Sequence, residues 1–260
     1  MQTTMSRTLP AEILDLIIDH LHDEPNALKT CCVVSKSWVP RTRRHLFAHV
    51  KLYALESHVE RWKKAFPDPS NSPAHHTRTL TVNGTPGIGS PNESVDGWIR
   101  AFRNVVHLDL SFVGRVAFFQ FRGFPPAVRS LRLSSSILEA FDLICSFPLL
   151  EDLSLVNLHH GDGADLWNPP LTSPKLTGAL DLRLGMAVYP VARRLLDFPG
   201  GLRFSKINAT FFHLDAKSVT DLVSKCSHTL ESLSLFYFPI GAPPLYPVTD
   251  KYLTVGPRHR

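Results

Sequence analysis

The residues best suited to metal chemistry lie in one short stretch of this chain. Residues 159–165, HHGDGAD, place four imidazole or carboxylate groups close together, and both groups bind divalent metals. The pair His75-His76 lies in a second candidate segment, which is rich in Pro and Ser. Glycines favour a turn in the first stretch, and neither stretch fixes a ligand geometry. We therefore interpret both as surface loops and predict no metal site and no cofactor.

Sequence signatures of catalysis are also missing. Residues 84–90, GTPGIGS, lack the Lys-Ser/Thr of a phosphate-binding loop, and their glycine order differs from the dinucleotide fingerprint. The chain contains no G-x-S-x-G nucleophile elbow. We predict no catalytic residue and a protein that is not an enzyme. A hydrolase on a βαβ scaffold is the alternative, which ionisable strand-end residues with shifted pKa values in one cleft would favour.

Cysteine usage and hydropathy indicate an intracellular protein. The four cysteines, at positions 31, 32, 145 and 226, form no C-x-x-C pair, so neither zinc nor a disulfide framework is expected. No apolar run approaches the roughly 18 residues of a membrane span, and the N-terminus lacks a signal-peptide pattern. We expect no membrane association and a reduced compartment, the cytoplasm or the nucleus.

The net charge of +5 is mild and is spread along the chain. The dense basic run is Arg41, Arg43, Arg44 and His45. No aromatic interleaving or nucleic-acid motif accompanies it, so we interpret the run as a solvated helix face and expect no nucleic-acid partner.

The elements that would position a site begin with helical periodicity near the N-terminus. Pro10 and Glu12 suit the first turn of a helix, and a wide apolar face follows at Ile13, Leu14, Ile17, Ile18 and Leu21. A second short helix is predicted after the break at residues 23–26. Ser35 is predicted to cap a third helix that runs toward Leu46. Pro40 would kink this helix or make it start at a later residue. So small a unit folds marginally alone, and its surplus of apolar side chains indicates a partner, either the rest of the chain or another protein.

This segment resembles the F-box, the adaptor-binding domain of modular ubiquitin ligases. The resemblance covers residues 9–50, and its continuation RTRRHLFAHVKL is similar to F-box proteins of mushroom-forming fungi. The residues that carry it are Leu9-Pro10, Glu12-Ile13, Ile17, Leu21, Leu28, Val34-Ser35-Lys36, Trp38 and Leu46-Phe47. It departs from the family pattern in a slightly long segment at 22–27 and in Pro40.

The resemblance implies a helix-in-groove contact with a Skp1-type adaptor and, through it, with a cullin. The residues that would form or support this contact are Leu9, Pro10, Ile13, Ile17, Leu21, Leu28, Val34 and Trp38. Trp38 could equally belong to the core of the three helices. The alternative for the whole segment is a helical cap packed on a larger domain.

A short apolar signature recurs in the rest of the chain. Its copies are TLTV at 79–82, HLDL at 107–110, SLRL at 130–133, DLSL at 152–155, DLRL at 181–184, the degenerate KINA at 206–209 and SLSL at 232–235. This spacing and the L-x-L core resemble leucine-rich repeats, in which short parallel strands share one core. Alternate residues of each copy should face that core. An ordinary βαβ domain is the alternative.

Helix-like segments separate the copies, at residues 94–102, 137–147, 188–198 and 216–226. We therefore predict an α/β chain, with a three-helix F-box followed by an irregular leucine-rich-repeat horseshoe of parallel strands and convex-side helices. The predicted domains are residues 1–50, a linker helix and loop at 51–76, and the repeats at 77–260. The segment 251–255 resembles one more strand, so we expect the array to be incomplete at its C-terminal end.

The predicted function is that of a substrate-recognition subunit of a Skp1–cullin–F-box ubiquitin ligase. Outward strand residues would contact an unknown protein substrate: Thr81, Asp109, Arg132, Ser154, Arg183, Asn208 and Ser234. A solvated sheet face is the alternative for these residues. A repeat scaffold outside any ligase is the alternative for the chain.

Overall fold

The chain is an α/β protein built on one eight-stranded parallel sheet. The computed structural model describes residues 9–53, 56–84, 99–111, 121, 124, 127–134, 141–158, 174–183, 188–198, 200–212 and 216–238. The strands are β1 His49–Tyr53, β2 Thr79–Asn83, β3 His107–Ser111, β4 Ser130–Ser134, β5 Asp152–Val156, β6 Ala179–Arg183, β7 Lys206–Phe212 and β8 Ser232–Phe238. They lie side by side in sequence order.

Three short helices precede the sheet, as predicted. They are α1 Ala11–His20, α2 Pro25–Val34 and α3 Val39–Leu46, with a 3-10 turn at Lys36–Trp38 before α3. Pro10 lies one position before α1 and not at its first residue. The Ser35 hydroxyl accepts the Ser37 N–H at 3.3 Å and so caps the turn. Pro40 falls in the first turn of α3, where its missing N–H costs no hydrogen bond, so α3 starts late.

The strands are in register, and alternate residues build the core. Leu108 of β3 pairs with Leu131 of β4, which pairs with Leu153 of β5, and all three are buried. A second buried row runs two residues further along, through Leu110, Leu133 and Leu155. The outward residues between these rows are half-buried or exposed. The period-two pattern therefore places one continuous apolar layer under the sheet.

Helices between the strands cover this apolar layer. The described ones are α4 Glu56–Ala65, α5 Phe141–Ile144, α6 Val188–Leu196 and α7 Ala216–Cys226, with a second 3-10 turn at Pro73–His76. Val219, Leu222 and Cys226 of α7 are buried against the sheet core. The helices predicted at 188–198 and 216–226 are thereby confirmed. The one predicted at 94–102 lies mostly outside the described residues, and the tail after residue 238 lies wholly outside them.

The predicted alignment of the sixth strand is wrong by two residues. Leu180 pairs with Leu153, and Leu182 pairs with Leu155, so the strand signature is ALDL at 179–182 and not DLRL at 181–184. The stretch LDLRL contains two overlapping L-x-L patterns, and the sequence does not distinguish them. The outward residue equivalent to Ser154 is therefore Asp181, and Arg183 lies one row further along.

The first strand was not predicted. β1 has its core positions at Val50 and Leu52, both buried, and pairs with β2 from His49 to Tyr53. The predicted boundary at residue 50 falls inside this strand. Only Phe47 and Ala48 separate α3 from β1, so the helical unit leads directly into the sheet.

A recurring backbone junction marks the start of the strands. The Arg78 carbonyl accepts the N–H groups of both Val106 and His107, at 2.8 and 3.0 Å. Five equivalent carbonyls also accept two N–H groups each: those of Ala48, Val106, Arg129, Gly178 and Ser205. Each lies two residues before the first core residue of its strand, so these six strands begin with the same local geometry.

The junction between β5 and β6 is the exception. The Glu151 carbonyl accepts one N–H, from Gly178, because the Ala179 N–H donates to the Asp152 carboxylate at 2.7 Å. A Cβ at Gly178 would collide with Asp152 Oδ1 and lie 3.1 Å from the Glu151 carbonyl carbon. A side chain at position 178 would therefore have to displace the Asp152 carboxylate that closes this junction.

Candidate functional site

Exposed apolar side chains are concentrated on the first two helices. Six of the eight large exposed apolar residues in the described chain belong to this group, which we call the apolar surface: Leu9, Ile13, Leu16, Ile17, Val33 and Val34. Leu9 is 57% exposed and Val33 is 84% exposed. Covering such a side chain contributes about 1 kcal/mol or more, so a surface of this size can drive association with a partner.

A small buried core supports the apolar surface. Ile18 of α1, Leu28 and Cys31 of α2 and Thr42 of α3 are buried between the helices. The Thr42 hydroxyl donates to the Trp38 carbonyl at 2.7 Å, which satisfies its hydrogen bond inside the helix pair. Because these residues fill the space between the helices, the opposite face of α1 turns outward.

An ion cluster fixes α1 against α3. The Asp19 carboxylate accepts hydrogen bonds from both nitrogens of the Arg41 fork, with Nε at 2.6 Å from Oδ1, and its Oδ1 lies 2.7 Å from His45 Nε2. Arg41 first, and then His45, hold the pKa of the Asp19 carboxyl well below its usual range. Arg41 and His45, which the sequence predicts on a solvated helix face, both belong to this contact.

The predicted adaptor residues divide into three groups. Leu9, Pro10, Ile13, Ile17 and Val34 are exposed. Leu21 and Trp38 are half-buried. Leu28 is 1% exposed, so it supports the surface from within and cannot itself contact a partner. Leu16 and Val33 were not predicted, because neither belongs to the apolar stripe that the sequence spacing singled out.

The outward face of the sheet carries a polar row in register. The row is Lys51, Thr81, Asp109, Arg132, Ser154, Asp181, Asn208 and Ser234. Six of the seven predicted residues belong to it. Arg183 does not, although it lies on the same face. Lys51 and Asp181 were missed, because the first strand was not recognised and the sixth was misaligned.

Asp181 is the centre of a hydrogen-bonded cluster on this face. Its carboxylate accepts from Ser154 Oγ at 3.2 Å, from Asn208 Nδ2 at 3.1 Å and from Arg183 Nε at 3.1 Å. These three donors lie on three adjacent strands. The cluster therefore holds the Asp181 carboxylate, paired with the Arg183 guanidinium, in a fixed place on the outward face.

The candidate metal stretches do not develop into a site in the described part of the chain. Residues 159–165 lie outside it, and no group of three or more His, Cys, Asp or Glu residues inside it could hold a metal. His75 Nδ1 lies 2.6 Å from the Ser72 carbonyl oxygen, and the His75 and His76 rings have centroids 3.9 Å apart. In the same described residues, no helix is long and apolar enough to cross a bilayer.

The cysteines contribute packing. All four are free thiols, and Cys31 and Cys226 are buried. Burial raises the pKa of the Cys226 thiol, which opposes formation of the reactive thiolate. Cys226 therefore serves as a small apolar side chain of α7.

Comparison with protein-family models and with curated proteins gives no match for this chain.

Proposed function

We propose that this chain is the substrate-recognition subunit of a Skp1–cullin–F-box ubiquitin ligase. The three helices would be the F-box, and the apolar surface would dock in the groove of a Skp1-type adaptor. The repeats would form a leucine-rich-repeat horseshoe whose outward strand residues bind the target protein. The chain itself would transfer no ubiquitin. It would hold the target near the ubiquitin carrier and raise its local concentration.

The apolar surface carries this proposal. Leu9, just before α1, and Ile13 and Ile17 on α1 recur every four residues, and all three are exposed, whereas Ile18 is buried. A helical cap would turn these side chains toward the sheet. They face outward instead, which favours docking on a second protein over the cap alternative.

Co-expression with a Skp1-type adaptor tests the docking. We expect a stable complex on size-exclusion chromatography that the double substitution Leu9→Ala and Pro10→Ala weakens by about tenfold or more. The matched control is Leu149→Ala, because Leu149 is similarly exposed, at 48%, but lies on the repeat array. A wild-type chain that stays monomeric beside the adaptor, or equal loss from both variants, would contradict the proposal.

Cullin capture separates a ligase subunit from a scaffold that has kept only its adaptor contact. A ligase subunit should retain the cullin from extract through the adaptor, and deletion of its gene should lengthen the lifetime of the target. Adaptor binding without cullin retention would assign the chain to the repeat scaffolds.

A further inference from the structure

Positive charge is concentrated where the helical unit joins the sheet. Residues 36–64 contain eight Lys or Arg side chains and two Asp or Glu side chains. This excess of six exceeds the net charge of +5 of the whole chain. The rest of the chain is therefore close to neutral, and the joint is its basic region.

The fold uses only part of the basic run on α3. Arg41 and His45 are held by Asp19. Arg43 and Arg44 lie on other sides of the helix and are exposed, and neither forms an ion pair with a described carboxylate. Two guanidinium groups thus remain available to a partner.

The 3-10 turn Pro73–His76 brings two histidines to the same region. The pKa of His76 is lowered, first by burial and then by the charges of His75, Arg44 and Arg43. Arg43 and Arg44 of α3 therefore lie close enough to the turn for their charges to act on His76. An anion bound there would be attracted by the two guanidinium groups.

Two more arginines flank the turn. Arg78 is exposed, and its backbone N–H donates to the Ala48 carbonyl at 2.9 Å. Asn104 Nδ2 donates to the His75 carbonyl at 2.6 Å, and the residue before Asn104, Arg103, is exposed. We call these six residues the basic surface: Arg43, Arg44, His75, His76, Arg78 and Arg103.

The aromatic residues of this region favour a protein ligand over a nucleic acid. Phe47 packs edge-on against Trp62 at 6.2 Å between ring centroids, and Trp62 stacks on buried Phe102 at 5.4 Å. Phe66 joins the same cluster. Because these rings pack on one another, they do not offer the stacking platform that single-stranded nucleic acids use. Carboxylates in an extended peptide require only the cations.

We propose that the basic surface binds an acidic segment, rich in Asp and Glu, of the target protein. The identity of the bound protein as a target rests on the proposed function. The attraction between the basic surface and an acidic segment does not rest on the proposed function, and it can be measured without the adaptor. The basic surface would attract the acidic segment over a longer range than the contacts on the outward face. The segment would therefore bind first, and the rest of the target would then bind the outward face.

Fluorescence anisotropy with the full chain tests this inference. The probe is a fluorescein-labelled peptide of alternating Glu and Ser, compared with the same peptide carrying Gln for Glu and with a labelled oligothymidylate of similar length. The substitution pair Arg43→Gln and Arg44→Gln removes two charges from the basic surface. The pair Lys217→Gln and Lys225→Gln removes two from exposed positions on α7 and is the matched control.

We expect binding of the Glu peptide that weakens with salt, falls about tenfold in the arginine pair and stays within about twofold in the lysine pair. Equal losses in both pairs, or equal binding of the Gln peptide, would overturn the inference. Tighter binding of the oligothymidylate would assign the surface to nucleic acid and overturn it as well. Leu9→Ala with Pro10→Ala should lose the adaptor but keep the peptide, so failure of this inference is distinguishable from failure of the proposed function.

Discussion

Asp19 connects α1 to α3 through Arg41, which lies 22 residues further along the chain. Helical periodicity puts Asp19 off the main apolar stripe, and nothing in the local sequence predicts its partner. Arg41 and His45 are four residues apart, so both reach one carboxylate from the same side of α3. The contact is tertiary, and for that reason sequence reasoning missed it.

We predict that Asp19→Asn lowers Tm by a few degrees at neutral pH. The folded protein holds the pKa of Asp19 below its unfolded value, so this stabilisation is present above the ordinary carboxyl pKa of about 4 and is lost as the pH falls below it. The acid decline of Tm should therefore be shallower in Asp19→Asn than in the wild type. Differential scanning calorimetry between about pH 7 and 3 measures both effects.

Asp23→Asn is the control for this prediction, because Asp23 is exposed and, among the residues that the structure describes, pairs only with the exposed His22. It should leave Tm and its pH dependence almost unchanged. Identical acid limbs for the wild type and Asp19→Asn would show that Asp19 adds no pH-linked stability.

An added methyl group at Gly178 would collide with the Asp152 carboxylate that closes the junction between β5 and β6. We predict that Gly178→Ala destabilises the fold by about 1–3 kcal/mol, because the new Cβ would displace the Asp152 carboxylate from the Ala179 N–H. Urea unfolding measures the loss. In the background of Asp152→Ala the same change should cost less, since the obstructing side chain is gone. Strict additivity of the two substitutions would refute the proposed clash.

At the scale of the elements, the register of β6 depends on which of two overlapping L-x-L patterns faces the core. The candidates are residues 180–182 and residues 182–184. We predict that Leu180→Ala costs about 2–5 kcal/mol in urea unfolding, because Leu180 is 1% exposed and pairs with buried Leu153. Leu149→Ala, at an exposed position, should stay within about 0.5 kcal/mol. A small effect at Leu180 would favour the register in which position 180 precedes the strand.

The recurring apolar signature predicted strands β2 to β8, with β6 misaligned by two residues, and missed β1. The core residues of β1 are Val50 and Leu52, and the strand follows α3 after two residues. Val50 lies 30 residues before its equivalent in β2, Leu80. The exposure of Leu9, Ile13 and Ile17 could be predicted from the sequence, since the segment contains more apolar residues than three short helices can bury. Val33 carried no such signal, because a single apolar residue off the stripe is ordinary in any helix.

At the scale of the whole molecule, the helical unit and the sheet are connected by packing as well as by sequence. Trp62 of α4 contacts Phe47 at the end of α3 and Phe102 before β3. Phe66 contacts both Phe47 and Trp62. This aromatic cluster joins the end of the helical unit to the first repeats, so the apolar surface is held in place relative to the sheet.

We predict that the wild-type chain unfolds in one cooperative calorimetric transition and that Trp62→Ala separates it into two. Removal of this half-buried indole should cost about 2 kcal/mol or more and release the helical unit to melt first. Lys64→Ala, at an exposed position on the same helix, is the control and should keep a single transition. A single transition in Trp62→Ala would mean that the aromatic cluster does not couple the two parts.

The two-donor carbonyl at the start of the strands has a consequence for how such a chain can change its length. Because the junctions at Arg78, Val106 and Arg129 are equivalent, excision of the residues between two of them would rejoin the chain at matching points. Gain or loss of a whole unit would preserve the pairing of every remaining neighbour. Loss of a single residue within a strand would instead turn the following side chains to the opposite face. The architecture therefore tolerates duplication and deletion of whole units, and natural variants should differ in length by whole units.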